Sequence, residues 1–166
     1  TYRVKFADKR VFDFYENSDR EKVYYVEEEE TEWPANEDAG FDLFVTQDVV
    51  FKKNQTILVD FYVHGEMIEN GENIAYCLKP RSSIYKHDMV MMNSEGVVDK
   101  GYRGSVKAPL KWLGNENTLP TETYTLEAGT RVCQITHPNF VSFDTRSVNK
   151  LSDSKRGEKG FGSSGK

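Results

Sequence analysis

Three segments of this 166-residue chain gather side chains suited to a phosphorylated ligand. Pro80-Arg81-Ser82-Ser83 offers a guanidinium, two hydroxyls and the amides of a helix start, which together make a compact anion site. The same four residues also read as a turn followed by a capped helix. Gly96-Val97-Val98-Asp99-Lys100-Gly101-Tyr102-Arg103-Gly104 has hairpin composition, and Asp99 is either a turn-capping carboxylate or a base at the hairpin mouth. An Asp of ordinary pKa, ~3.9, is ionised at pH 7 but weakly basic, so a base there needs help from geometry or burial. Near the C-terminus Arg156, Phe161, Ser163 and Ser164 stand among glycines. The Phe161 ring suits a flat heterocycle and the others suit phosphate oxygens, while composition alone describes a flexible tail. Asp42 and Gln134 interrupt apolar stretches, and each alone reads as an outward or internally hydrogen-bonded polar side chain. His64, His87 and His137 show no ligand spacing, and Cys77 and Cys133 form no CxxC, so neither zinc nor a disulfide framework is expected.

The elements that must hold these groups read as short strands. Segments rich in Val, Ile, Tyr, Phe and Thr and bounded by Gly, Asn, Asp or Pro run over 41–45, 49–51, 56–63, 73–78, 90–92, 105–112, 123–126, 131–136 and 140–143. Their spacing predicts an all-β sandwich or barrel, with one short helix at most, over 81–86. No long apolar stripe of helical period is present, which argues against a helical bundle or a doubly wound α/β domain. One domain over 1–149 is expected, beginning with an acidic region over 1–38 whose 27–38 stretch is a solvated loop, and followed by a flexible arm over 150–166.

With 22 Lys and Arg against 27 Asp and Glu, the chain has a net charge of −5. The excess is local: 1–38 hold 6 basic and 12 acidic residues, whereas 39–166 hold 16 and 15. An acidic chain is a poor partner for a nucleic-acid polymer, yet a neutral to basic motif-bearing part suits a small anion. No apolar run is long enough to span a bilayer, so no membrane association is expected and an intracellular site is, cytoplasmic or, in a eukaryotic or viral setting, nuclear.

In order along the chain these segments resemble the five motifs of the trimeric deoxyuridine triphosphatase (dUTPase) family. The motifs are Ala39-Gly40-Phe41-Asp42-Leu43, Pro80 to Ser83, Gly96 to Gly104, Arg131-Val132-Cys133-Gln134-Ile135, and Arg156 to Gly165. The resemblance implies a distorted jelly-roll-like β-barrel, a homotrimer with shared sites, and hydrolysis of dUTP to dUMP and pyrophosphate with Mg2+. That activity limits uracil incorporation into DNA and supplies dUMP for dTMP synthesis. It further implies that Asp99 activates the attacking water and that Gln134 contacts the α-phosphate region. Gly96, Val97 and Val98 would read the uracil edge with help from Asn93, and Tyr102 would pack on the sugar. Arg81, Ser82 and Ser83 would bind phosphates, Asp42 would support the metal and water network, and Phe161 would stack on uracil. Arg156, Gly162, Ser163 and Ser164 belong to the segment that closes over the phosphates. Motif three would come from a second chain and motif five from a third. Tyr85, Asp88 and the Lys100-Gly101 pair depart from the family pattern. A partner-binding module of dUTPase type and a dCTP deaminase-like enzyme are the alternatives. The latter needs a glutamate near the base, where this hairpin offers Asp99 and Tyr102.

Overall fold

The computed structural model describes residues 1–18, 24–25 and 37–160. Among the described residues thirteen strands are arranged in three sheets. Six of them, β1 (Tyr2–Phe6), β2 (Tyr24–Tyr25), β5 (Thr56–Glu69), β8 (Met89–Met91), β10 (Ser105–Trp112) and β13 (Thr145–Ser147), run in the order β2-β13-β1-β5-β10-β8, and β6 (Glu72–Ile74) pairs with β5. A second sheet has the order β3-β12-β7-β9, from Gly40–Phe44, Arg131–Thr136, Tyr76–Pro80 and Gly96–Val98. β4 (Val49–Lys52) and β11 (Thr123–Leu126) form a third, two-stranded sheet. The pairings are antiparallel except β1 with β13 and β13 with β2. This is the expected mostly-β, jelly-roll-like architecture.

Alternation explains which faces meet. On β10 Val106, Ala108, Leu110 and Trp112 turn inward while the residues between them are partly exposed, the period-2 pattern of a half-buried strand. Tyr2 of the large sheet lies fully buried between the sheets, with its ring 5.8 Å from Phe41 and 5.4 Å from Tyr76 of the second sheet. Aromatic pairs at such spacing add roughly 0.5–1.5 kcal/mol each beyond the area they bury. β5 bends where Tyr62 adopts φ 55°, its amide donating to Asp60 Oδ1 at 2.7 Å. The β5–β10 register shifts there, so the extra residues form a bulge that lets one strand continue from β10 to β1.

The sequence reading placed no strand or helix before residue 41, and the structure has both. Residues 1–18 are part of the fold: β1 is central to the large sheet, and α1 (Lys9–Glu16) packs Val11 and Tyr15 into the core. Asp8 caps α1 by accepting from the amides of Arg10 and Val11. With only eight residues, α1 is too short to display a stripe over several turns. The described residues therefore hold two helical segments, because the 81–86 helix also forms, as a 3-10 turn over Ile84–His87. The strand expected over 140–143 is absent; Phe140 has φ 56° and is exposed, and the nearby strand is β13. The 27–38 loop lies largely outside the described residues. Among the described residues no helix is long and apolar enough to cross a membrane.

Candidate functional site

The second sheet carries chemistry at both edges. On its β3 side, Asp42 faces Gln134 across the β3–β12 ladder, and Gln134 faces Lys79 across β12–β7. β7 ends at Pro80, and Arg81 is held there because its amide donates to Val132 O at 2.9 Å. The Arg81 Nε is 2.8 Å from Asp42 Oδ1, and Nη1 donates to Arg131 O at 3.1 Å and to Ser83 Oγ at 3.3 Å. Asp42 is only 5% exposed and also faces Arg131 Nη1 at 3.4 Å, so two cations neutralise its carboxylate. Ser83 occupies the N-cap position of the 3-10 turn without a side-chain cap bond; its hydroxyl serves Arg81 instead. Gln134 Nε2 donates to Pro80 O at 3.3 Å. A Cβ at Gly40 would stand 3.0 Å from Gln134 Cδ, so a side chain there would push the Gln134 amide aside. Asp42, Arg81, Ser82 and Gln134 line a cleft of about 300 Å³, together with Lys79 and Thr136.

On the opposite edge β9 pairs with β7 through Tyr76↔Val98, Cys77↔Val97 and Leu78↔Gly96. The chain then turns tightly, Tyr102 N donating to Asp99 O at 2.8 Å. Asn93, Gly96, Val97, Val98, Asp99 and Tyr102 line a second cleft of about 240 Å³. The first part of the C-terminal arm closes one side of it: Gly157 bridges to Tyr102, Arg103 N donates to Gly157 O at 2.8 Å, and Ser154 Oγ donates to Gly101 O at 2.5 Å. Arg156 Nη1 donates to the Asp99 carboxylate, and Arg156 and Gly160 are lining residues. Tyr102 anchors its hydroxyl on Ser105 O at 2.9 Å, and burial raises its phenol pKa, keeping the hydroxyl protonated at neutral pH.

The structure thus groups the sequence-predicted residues into two halves whose lining sets share no residue. Asp42, Arg81, Ser82, Ser83 and Gln134 form a cationic, hydroxyl-bearing half; Asn93, Gly96 to Val98, Asp99, Tyr102 and Arg156 form a half with apolar walls and two carboxylates, Asp99 and Glu95. Arg156 meets motif three of its own chain, although the resemblance assigns those motifs to different chains. Phe161, Gly162, Ser163 and Ser164 lie outside the described residues. Sequence reasoning missed Lys79, which lines the first cleft and pairs with Glu95 of the second at 2.8 Å. A lone Lys at the end of a strand carries no motif signal, and only strand pairing puts it between the two halves. Among the described residues no group of three His, Cys, Asp or Glu converges to hold a metal.

The dUTPase family model matches residues 32–165. A deoxyuridine 5'-triphosphate nucleotidohydrolase of Clostridium tetani is 34% identical over 78% of this chain and 83% of its own length. Its namesake in Cytophaga hutchinsonii is 37% identical over 77% and 79%. Among solved structures, a variant of the Staphylococcus bacteriophage 80alpha dUTPase with dUpNHpp superposes with a TM-score of 0.57 at 22% identity, covering 99% of this chain and 98% of that one. The Streptococcus mutans dUTPase gives 0.51 at 30% identity over 63% and 80%.

Proposed function

Because the chain belongs to the dUTPase family, we propose that it hydrolyses dUTP to dUMP and pyrophosphate. The observation that supports this reading is a pair of clefts, one ending at Asp99, which we assign to base and sugar, and one built on Arg81, which we assign to the phosphates. In the first, the Gly96 to Val98 strand offers backbone amides and carbonyls to a pyrimidine edge, beside Asn93. Tyr102 presents its ring to the sugar, where an added 2'-hydroxyl would crowd it. In the second, Arg81 and Ser82 bind phosphate oxygens, Ser83 holds Arg81 in place, and Gln134 contacts the α-phosphate. Residues 161–164 complete the closure, with Phe161 over the base and Gly162, Ser163 and Ser164 at the phosphates.

Asp99 accepts a proton from water as the water oxygen bonds to the α-phosphorus. The bond from that phosphorus to the bridging oxygen of the β-phosphate breaks, and pyrophosphate leaves. Arg156 counters negative charge beside Asp99 and on the phosphates. The donors present fit Mg2+ held mainly by phosphate oxygens and water, since the buried carboxylate of the phosphate half, Asp42, is already committed to two guanidiniums and would support the ion only indirectly. When bound, the ion neutralises phosphate charge. A homotrimer with shared sites is the assembly that membership of the dUTPase family suggests for this chain.

The test is pyrophosphate release from dUTP, dCTP, dTTP and UTP in parallel, with Asp99→Asn as the companion variant. Turnover of dUTP alone is expected, and Asp99→Asn should lower kcat at least about a thousandfold while leaving dUTP binding within a few fold. Deamination of dCTP, or full kcat in the variant, refutes the assignment.

A further inference from the structure

Glu66 stands on β5, outside the five motif segments, and is only 1% exposed although it carries a carboxylate. Its Oε2 is 2.9 Å from Arg103 Nη2 and accepts from Ser152 Oγ; its Oε1 accepts from Ser152 N at 3.2 Å. Arg103 spends its other donors on the same neighbourhood. Nη1 donates to the carbonyls of Lys100 and Tyr102, both at 2.9 Å, Nε donates to Ser152 O at 3.0 Å, and Nη2 also donates to Ser152 Oγ at 2.9 Å. Lys100 and Tyr102 belong to the turn that begins at Asp99. Ser152 is where the C-terminal segment leaves the core, after the buried Leu151 and before Arg156 reaches Asp99.

Glu66 Oε1 also faces the half-exposed Arg3 Nη1 at 3.8 Å, but the carboxylate's close partner is the Arg103 guanidinium, which ties the turn carrying Asp99 to the root of the arm. A buried ion pair is weak evidence of a stability role, because apolar side chains of similar volume often replace one without loss. Apolar side chains could not bond two carbonyls of the turn and the polar atoms of Ser152 together. We propose that Glu66 is a positioning residue for the reaction, acting through Arg103 to set the Asp99 turn and the C-terminal arm in register with each other. The proposal rests on the reading that Asp99 activates water in dUTP hydrolysis.

Glu66→Gln keeps the shape of the side chain and removes the charge that holds Arg103. It is expected to lower kcat for dUTP about tenfold or more with KM changed less than about threefold. It should also speed tryptic cleavage after Lys155, Arg156 and Lys159 several-fold at a temperature where circular dichroism shows an intact fold. Ser152→Ala leaves the Glu66–Arg103 pair and the carbonyl bonds in place, so it should accelerate arm cleavage with a smaller fall in kcat. A Glu66→Gln protein with a lowered Tm but wild-type kcat and wild-type arm cleavage overturns the proposal. If that variant does not fold, Ser152→Ala decides, and unchanged cleavage of its arm overturns the clamp. Wild-type protein without dUTP turnover would sink the functional reading instead, while the cleavage rates still test the clamp.

Discussion

Gly104→Ala addresses the Tyr102 wall of the Asp99 cleft through a residue that does not itself line it. A Cβ on Gly104 would stand 2.5 Å from Cζ and 2.8 Å from Cε2 of Tyr102. Carbon atoms in contact prefer about 3.5–4.0 Å, so the ring must withdraw by about 1 Å or rotate. Overpacking of this kind costs roughly 1–3 kcal/mol. Withdrawal also breaks the hydrogen bond from the Tyr102 hydroxyl to Ser105 O, now 2.9 Å, for about 1 kcal/mol more. The combined ~2–4 kcal/mol corresponds to a Tm lowered by roughly 4–16 °C for a chain of this size. Since the same ring lines the cleft, displacing it should raise KM for dUTP about tenfold and reduce the preference for dUTP over UTP by a similar factor. Calorimetry and steady-state pyrophosphate release with both nucleotides measure these effects. In a Tyr102→Ala background the clash partner is gone, so Gly104→Ala should add almost nothing. An equal cost in both backgrounds, or unchanged Tm and KM in the single variant, refutes the reasoning.

The remaining predictions concern the core and the titrating groups. Gly65→Ala should destabilise by at least about 3 kcal/mol in urea titration, because its Cβ would lie 2.6 Å from Cε2 of Tyr2, a fully buried ring enclosed by Phe41, Tyr76 and Phe143. Burial, reinforced by the Glu95 carboxylate, pushes the Cys77 thiol up to about 11, and burial pushes Cys133 up to about 12. At pH 8 the thiolate fraction of Cys77 is therefore about a hundredfold below that of a free thiol, and native protein should react slowly with Ellman's reagent, releasing both thiols only in denaturant. Burial raises the pKa of Asp144, but hydrogen bonds from Arg146 and Thr1 outweigh it and hold the carboxyl below its ordinary 3.8. A depressed carboxyl stabilises the fold above its unfolded pKa and loses that contribution as pH falls through the folded value. Asp144→Asn should thus lower stability at pH 7 and converge with wild type once the pH falls well below 3.8.

Much of the site was legible because its chemistry is written in contiguous segments. Arg81, Ser82 and Ser83 adjoin one another, and Asp99 and Tyr102 share one turn, so local sequence already implied a shared location. Strands such as β10 and β12 announced themselves by alternation or by β-branched composition. α1 was illegible for a different reason. Val11 and Tyr15 make one apolar contact line over a single turn, and Tyr15 packs on Phe41 and Phe44, which arrive from β3. β13 is three residues long and earns its place only by parallel pairing with β1.

The amino-acid sequence by itself determined the family, the all-β class and the chemical identity of the site groups, because local propensity and motif order depend on neighbours along the chain. The tertiary structure decided which groups meet. It neutralised Asp42 with Arg81 and Arg131, joined the two clefts through Lys79 and Glu95, and brought Arg156 onto Asp99 across 57 positions. It also buried Glu66 beneath the Asp99 turn, where its partners Arg103 and Ser152 come from elements far apart along the chain. Such contacts follow from strand register and from satisfying buried polar groups, which no single stretch of residues specifies.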